Sequence, residues 1–286
     1  MGALMILVTG GAGYLGSRLA LELASRGESV RILDTYCPDP VETIVNLNDR
    51  WLWIKTNWRK GDVCSMHDMI RALDGVDTVI HCAAAVPLCK DEREMFRVNH
   101  DGTRTVLEAS ARAGVEHLTF ISSSAVYGKP ASNPVRRSTP LNPLEPYGKS
   151  KVEAEKALMA EFPFNTPRIT IIRPRTIIGP GRLGIFGRLF GWIHKGLPVP
   201  VFNGGRNVYQ FIDVDDLIFA IKKLTLFMPR SGIFNIGTMN FCSMRETLQA
   251  VIDYAQTGSR IVNLPQGLAL KMLDWADRLK MSPLRS

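Results

Sequence analysis

A tyrosine and a lysine stand four residues apart, Tyr147 and Lys151, in the run PYGKSK. The residues that follow, VEAEKALMAEF, are mostly strong helix formers. Val152, Ala154, Ala157, Leu158 and Phe162 recur there at helical spacing. The two polar side chains then share one face of the first turns. A phenol with a pKa of about 10 is a poor base at neutral pH. A neighbouring ammonium stabilises the phenolate and lowers that value. The pair is either a packing accident or a tuned proton donor and acceptor, and the rest of the chain decides which.

A second stretch suited to chemistry is TGGAGYLG, Thr9 to Gly16. It contains both Gly11-x-Gly13-x-x-Gly16 and Gly10-x-x-Gly13-x-x-Gly16. Such glycines allow a tight turn and let backbone N–H groups approach a pyrophosphate. The N-terminus of the following helix favours the negative charge. The loop positions assigned to a dinucleotide are Gly10, Gly13, Tyr14, Leu15 and Gly16. Asp34 lies about twenty residues beyond the loop, at the end of the next strand, where a carboxylate accepts hydrogen bonds from the adenosine ribose. Its charge repels a 2′-phosphate, and Thr35 and Tyr36 rather than an arginine follow it, which favours NAD over NADP.

These residues need elements to position them. Met5 to Thr9 is a short apolar run of the kind found in buried parallel strands. Ser17 to Arg26 has helical periodicity, and Val30 to Leu33 is a second strand. Thr78 to Cys82, His117 to Ser122 and Ile169 to Arg173 read as further strands. Segments 66–74, 91–113 and 147–162 read as the helices between them. This alternation predicts an α/β fold, a Rossmann-type doubly wound parallel sheet, over residues 1–178. Residues 179–286 are richer in Gly and Pro at first. They then show a strand feeding a helix in QFIDVDDLIFAIKKLTLF, and helices near 243–255 and 266–280. They are expected to form a smaller C-terminal substrate lobe, partly interleaved with the first domain.

GDV at Gly61–Val63, HCAAA at His81–Ala85, NHDGT at Asn99–Thr103, SSSAVYG at Ser122–Gly128, Tyr147-x-x-x-Lys151 and RPRTIIGPG from Arg173 follow the glycine loop in order. Together they resemble the extended short-chain dehydrogenase/reductase family, including its NAD-dependent sugar-nucleotide epimerases and dehydratases. The resemblance implies that Tyr147 is the general acid/base and that Lys151 lowers its pKa and holds the nicotinamide ribose. It implies that Ser123, five residues before the glycine of VYG, hydrogen-bonds the substrate oxygen, with Ser124 as the nearby alternative. It places Asp62 and Val63 against adenine, Ala83, Ala84 and Ala85 along the pyrophosphate and ribose, and Pro174 against the nicotinamide. Asn99 is expected to support the site, and His81 and His100 to be structural. A homodimer is expected by the same resemblance.

The chain departs from the pattern in three places. Ser124-Ala125 stand where the family's dehydratases carry Asp-Glu, which counts against elimination of water. Tyr209-Gln210 replace an Arg-Asp pair whose arginine binds a diphosphate in the epimerases, and Thr176 replaces an asparagine. Arg182, Arg188 and Arg206 are alternative phosphate contacts or ordinary surface charges.

The 286 residues carry a formal net charge of +8 and a pI of about 9.4. That favours anionic partners. Arg136-Arg137 and the C-terminal cations are dispersed without aromatic interleaving, so no specific nucleic acid is expected. Five scattered cysteines lacking any CxxC pair suggest free thiols in a reducing cytoplasm and no metal site. No apolar run approaches the length of a membrane span. The leading expectation is an NAD-dependent epimerase acting through a transient keto intermediate on a sugar nucleotide or similar anionic carbohydrate. The alternative is a dehydrogenase/reductase of a hydroxyl or ketone, with 3β-hydroxysteroid dehydrogenases as relatives. The apolar run LGIFGRLFGWI at 183–193 points toward that alternative, although a core-facing helix is its simpler reading.

Overall fold

The computed structural model describes residues 4–37, 45–47, 50–52, 57–87, 89–160, 167–181 and 185–265. The helix expected near 266–280, together with Phe162, Arg182 and residues 183–184, lies outside the described residues. In chain order the elements are β1 (Met5–Thr9), α1 (Tyr14–Ser25), β2 (Ser29–Asp34), β3 (Val45–Leu47), β4 (Arg50–Leu52), β5 (Asn57–Lys60), α2 (Met66–Ala72), β6 (Thr78–His81) and α3 (Glu92–Phe96). They continue as α4 (Gly102–Arg112), β7 (His117–Ile121), α5 (Pro146–Ala160), β8 (Arg168–Pro174), β9 (Thr176–Ile178), α6 (Ile185–His194), β10 (Val199–Phe202), β11 (Val208–Tyr209) and β12 (Phe211–Asp213). The last are α7 (Val214–Lys222), β13 (Gly232–Ile236), β14 (Cys242–Ser243), α8 (Met244–Ala255) and β15 (Ile261–Leu264).

Seven strands form one parallel sheet in the order β13-β8-β7-β6-β1-β2-β5. The chain runs outward from β1 through β2 to β5, then restarts at β6 on the other side of β1 and runs outward to β13. That reversal leaves a crevice beyond the carboxyl ends of β1 and β6, the usual ligand site of such sheets. Inner strands such as TVIH and HLTFI are buried along their whole length, as expected where both faces are covered. Leu7, Val79, Leu118 and Phe120 from strands and Val106, Ala154 and Leu158 from helices share the main core.

Of the two edge strands, β5 is polar, with Arg59 and Lys60, while β13 reads GIFNI, apolar apart from Asn235 but only partly buried. The helix expected over 91–113 is interrupted. Asp91 caps α3 by accepting from the N–H groups of Arg93 and Glu94, Arg97–Asp101 form a π-helical turn, and α4 follows.

The chain separates into two compact units, residues Met1–Arg175 with Val214–Ile236, and Thr176–Asp213 with Gly237–Ser286. Val214–Ile236, read from sequence as part of the lobe, contributes α7 and the edge strand β13 to the first unit. Within the second unit β9 pairs with β12, β10 with β15 and β11 with β14. Ile193, Val199, Val201, Leu248 and Ile252 form its core.

Two histidines lie in the sheet. His81 is fully buried, with Nδ1 2.7 Å from Thr9 Oγ1 and Nε2 3.0 Å from Thr103 Oγ1. Burial, aided by the Lys151 charge, lowers its pKa to about 3. Burial, aided by Arg168, lowers that of His117 to about 4. An unfolded chain protonates these rings near 6.5, so it binds more protons than the folded chain between that pH and these lowered values. Stability therefore falls as pH drops from about 6.5 toward 4, by up to about 1.4 kcal/mol per pH unit for each ring. Urea melts across this range should show the decline, with a shallower slope in His81→Gln. A flat profile down to pH ~5 would refute the assignment.

Candidate active site

The glycine loop closes the crevice tightly. Gly10 has φ +68°, and a Cβ there would lie 2.6 Å from the Ala83 backbone. A Cβ on Gly16 would collide with the Gly10 carbonyl. Gly13 is the N-cap of α1 and supplies no side-chain cap, and no acidic residue occupies the first turn. A helix start with this composition is suited to an anion. Tyr14 and Leu15 open α1, with the Arg18 guanidinium 5.4 Å from the Tyr14 ring centroid. Asp34 ends β2 and accepts from the N–H groups of Ala12 and Tyr36, both at 3.0 Å. Loop, helix start and strand-end carboxylate therefore converge, and these residues fit a dinucleotide.

The neighbouring predicted positions lie along the same end of the sheet. Asp62 follows β5 and accepts from Cys64 N–H and Arg97, each at 2.9 Å. Its burial opposes ionisation, but these two donors outweigh it and hold the carboxyl below its ordinary range. Val63 is buried beside it. Ala83, Ala84 and Ala85 follow β6. Buried Asn99, in the π-helical turn, brackets Ala85 by accepting from its N–H at 2.8 Å and donating to its carbonyl at 2.9 Å. Asn99 also donates to Ser150 Oγ at 2.9 Å, and Ser150 donates to the Tyr147 carbonyl at 2.8 Å. Extra-wide turns of this kind are frequent at functional sites. Pro174 ends β8, and His100 is bonded to Asp101.

Tyr147 and Lys151 lie in the first turns of α5, which opens on Pro146, a residue already set for helical φ. Gly148 between them packs against the loop after β7; a Cβ there would sit 2.7 Å from the Ala125 carbonyl oxygen. Lys151 is buried, donates to the Ile121 carbonyl at 2.9 Å and lies 4.6 Å from the Phe120 ring centroid. Its Nζ is 6.0 Å from the Tyr147 ring centroid. Burial lowers the ammonium pKa to about 8, against the opposing influence of Cys82 and Glu155. Burial pushes the Cys82 thiol up to about 12. Ser123 caps the short helical turn Ser124–Tyr127, its Oγ accepting from Ala125 N–H at 3.1 Å.

One turn beyond Lys151 on the same helix face is Glu155. Its side chain is 0% exposed and pairs with Arg173, which is 2% exposed. Arg173 Nε donates to Glu155 Oε1 at 2.9 Å, and Ser122 donates to the same carboxylate. Arg173 Nη1 donates to Tyr127 OH at 2.6 Å, which donates to Asn235 Oδ1 at 2.8 Å. This network fastens α5 to β7, β8 and β13. Sequence reasoning missed it, although the four-residue step from Tyr147 through Lys151 to Glu155 is visible in the chain.

In the second unit, two of the departures meet. Thr176 Oγ1 and Tyr209 OH are 2.9 Å apart. Tyr209 packs with Phe186 and Phe211, at centroid distances of 5.4 and 4.9 Å. Arg188 and Arg206 are exposed.

A family model described as the NAD dependent epimerase/dehydratase family matches residues 6–237. The chain belongs to that family. It is 38% identical over 278 residues to the uncharacterized protein y4nG of Sinorhizobium fredii, covering 97% of this chain and 67% of that one. It is 31% identical over 290 residues to a putative UDP-arabinose 4-epimerase 2 of Arabidopsis thaliana, covering 87% of this chain and 67% of the relative. The solved structure of MoeE5 in complex with UDP-glucuronic acid and NAD is 28% identical with a TM-score of 0.75, covering 93% of this chain and 91% of that chain. MoeE5 is also solved with UDP-glucose and NAD. In this family member the Tyr–Lys helix α5 is tied to β8 of the seven-stranded parallel sheet by a buried ion pair.

Glu155→Gln keeps the shape but leaves the Arg173 charge buried without a counter-charge, a loss of about 3–5 kcal/mol in unfolding free energy. Urea melts should show it, and Glu155→Gln with Arg173→Met should lose less than Glu155→Gln alone. A single-variant loss under about 1 kcal/mol would contradict the role given to this pair.

Proposed function

We propose that the chain is an NAD-dependent epimerase of a sugar nucleotide that works through a transient ketone on the sugar. The observation that carries this reading is the placement of Lys151, buried at the end of β7 and on one helix face with Tyr147, beside a loop and helix start suited to a dinucleotide. Gly10, Gly13, Tyr14, Leu15, Gly16, Asp34, Asp62, Val63, Ala83, Ala84, Ala85 and Pro174 would hold NAD, with Lys151 on its nicotinamide ribose. When bound, NAD supplies the hydride acceptor and donor.

The chain's own residues handle the proton. Tyr147 as phenolate removes it from the substrate hydroxyl and returns it when the alcohol re-forms, while the Lys151 charge stabilises the phenolate between these steps. Ser123 accepts from Ala125 N–H and so has its own hydroxyl proton to give to the substrate oxygen. Ser124 and Ala125 offer no acid pair for loss of water, which separates this reading from dehydration. Relatedness to UDP-arabinose 4-epimerases and to a protein solved with UDP-sugars and NAD supports the substrate class. By family resemblance the working form is taken to be a cytoplasmic homodimer. Among the described residues no helix is long and apolar enough to cross a membrane.

Tyr147→Phe should lower turnover of a UDP-sugar by about a thousandfold while NAD binding, followed by titration calorimetry, stays within twofold of wild type, roughly the range expected for loss of a general acid/base. Undiminished turnover would remove the mechanism. Asp34→Ala should weaken NAD binding by about tenfold or more, through loss of charged hydrogen bonds, and weaken NADP binding less. Equal losses for the two cofactors would sink the ribose assignment.

A further inference from the structure

Two arginines flank Pro174, and they differ in one respect. Arg173 is buried and neutralised by Glu155. Arg175 follows the end of β8, its backbone N–H fixed on the Ile236 carbonyl at 2.9 Å. Its Nη1 lies 3.3 Å from Ser124 Oγ. Its Nε is buried and has no hydrogen-bond partner, and among the described residues no carboxylate lies within ion-pair distance of it. A buried N–H without an acceptor is destabilising. Among the described residues no acceptor meets this Nε.

We propose that Arg175 binds a carboxylate on the sugar itself and makes this chain selective for nucleoside-diphosphate uronic acids. The inference rests on the sugar-nucleotide reading above. With Nη1 on Ser124, the edge of the guanidinium left over is Nε with Nη2. That edge carries two parallel N–H groups, the match for a planar two-oxygen anion, and it takes one when the side chain turns to bring Nε, closed to solvent in this structure, to the ligand. A diphosphate is also an anion, but place decides between the two. Ser124 directly follows Ser123, the residue assigned to the reacting oxygen, so an anion on Arg175 sits close to the reacting carbon. A carboxylate on a neighbouring sugar carbon meets that condition, whereas the diphosphate lies beyond the anomeric carbon. A lysine would deliver the charge without the fork.

The test compares kcat/KM for UDP-glucuronic acid and UDP-glucose in the wild-type chain, in Arg175→Gln and in Arg175→Lys, with NAD binding as the check on folding. The expected results are a wild-type preference for UDP-glucuronic acid, a loss of about a hundredfold on that substrate in Arg175→Gln, expressed mainly in KM, and a smaller loss in Arg175→Lys. The loss on UDP-glucose in Arg175→Gln should be no more than about a tenth as large. A wild-type preference for UDP-glucose overturns the inference and leaves the epimerase reading standing. Equal losses on both sugars in Arg175→Gln assign the residue to the shared diphosphate and overturn it too. Should the wild-type chain bind NAD yet neither bind nor convert either sugar, the sugar-nucleotide reading fails and the inference falls with it.

Discussion

The arrangement of the site depends on one buried ion pair, Glu155 with Arg173. Tyr147, Lys151 and Glu155 stand at four-residue steps along α5, so they form a single row on one helix face. Glu155 anchors the deep end of the row to β8, Lys151 meets the end of β7, and Tyr147 is left half-buried at the outer end. A slip of α5 by one residue would turn all three away at once. Two buried charges would then lose their partners, and breaking such a pair costs about 3–5 kcal/mol. Desolvating both ions offsets much of the pair's own attraction. What the pair supplies is register, by making every other seating of α5 expensive.

A second network joins the end of β1, which leads into the glycine loop, to the backbone of Tyr147 without any charge. Thr9 meets His81, His81 meets Thr103, and Thr103 donates to the carbonyl of Asn99 at 2.7 Å. Asn99 then holds Ala85 and, through Ser150, the backbone of Tyr147. Because His81 stays neutral well below its ordinary pKa, this path keeps its donors and acceptors across the neutral range. The ion pair and the neutral path reach α5 from different strands, and between them they fix both its depth and its rotation.

Much of this was legible in the chain. The inner strands show as apolar runs because both faces are covered, and the glycine loop shows because close backbone approach at Gly10 and Gly16 excludes any Cβ. Tyr147 and Lys151 show because their spacing matches a helical turn. The edge β5 was not legible, since a half-exposed strand tolerates polar residues, and β13 escapes notice because its five-residue run GIFNI is short and bounded by glycines. Nor was the π-helical turn at Arg97–Asp101, which leaves the periodicity on either side intact. Glu155 sits in a run of charged helix formers, and nothing in the sequence sets it apart from them. Only the tertiary fold brings Arg173 to it, eighteen positions along the chain. Likewise Thr176 and Tyr209 read as two separate departures from a pattern, and the structure makes them one hydrogen-bonded pair.

The division of the chain has a consequence for synthesis. Residues 176–213 are inserted between β8 and α7, so the first unit is completed only when β13 pairs with β8. A ribosome must therefore release the chain past Ile236 before that sheet can close. Until then the β8 edge that β13 will cover has no partner strand, a site where nascent chains can stick to one another. The inserted segment meanwhile lacks β14, α8 and β15, which emerge last of the described elements. Neither unit can finish folding on a contiguous stretch of chain, so each must wait in part for residues made after the other has begun.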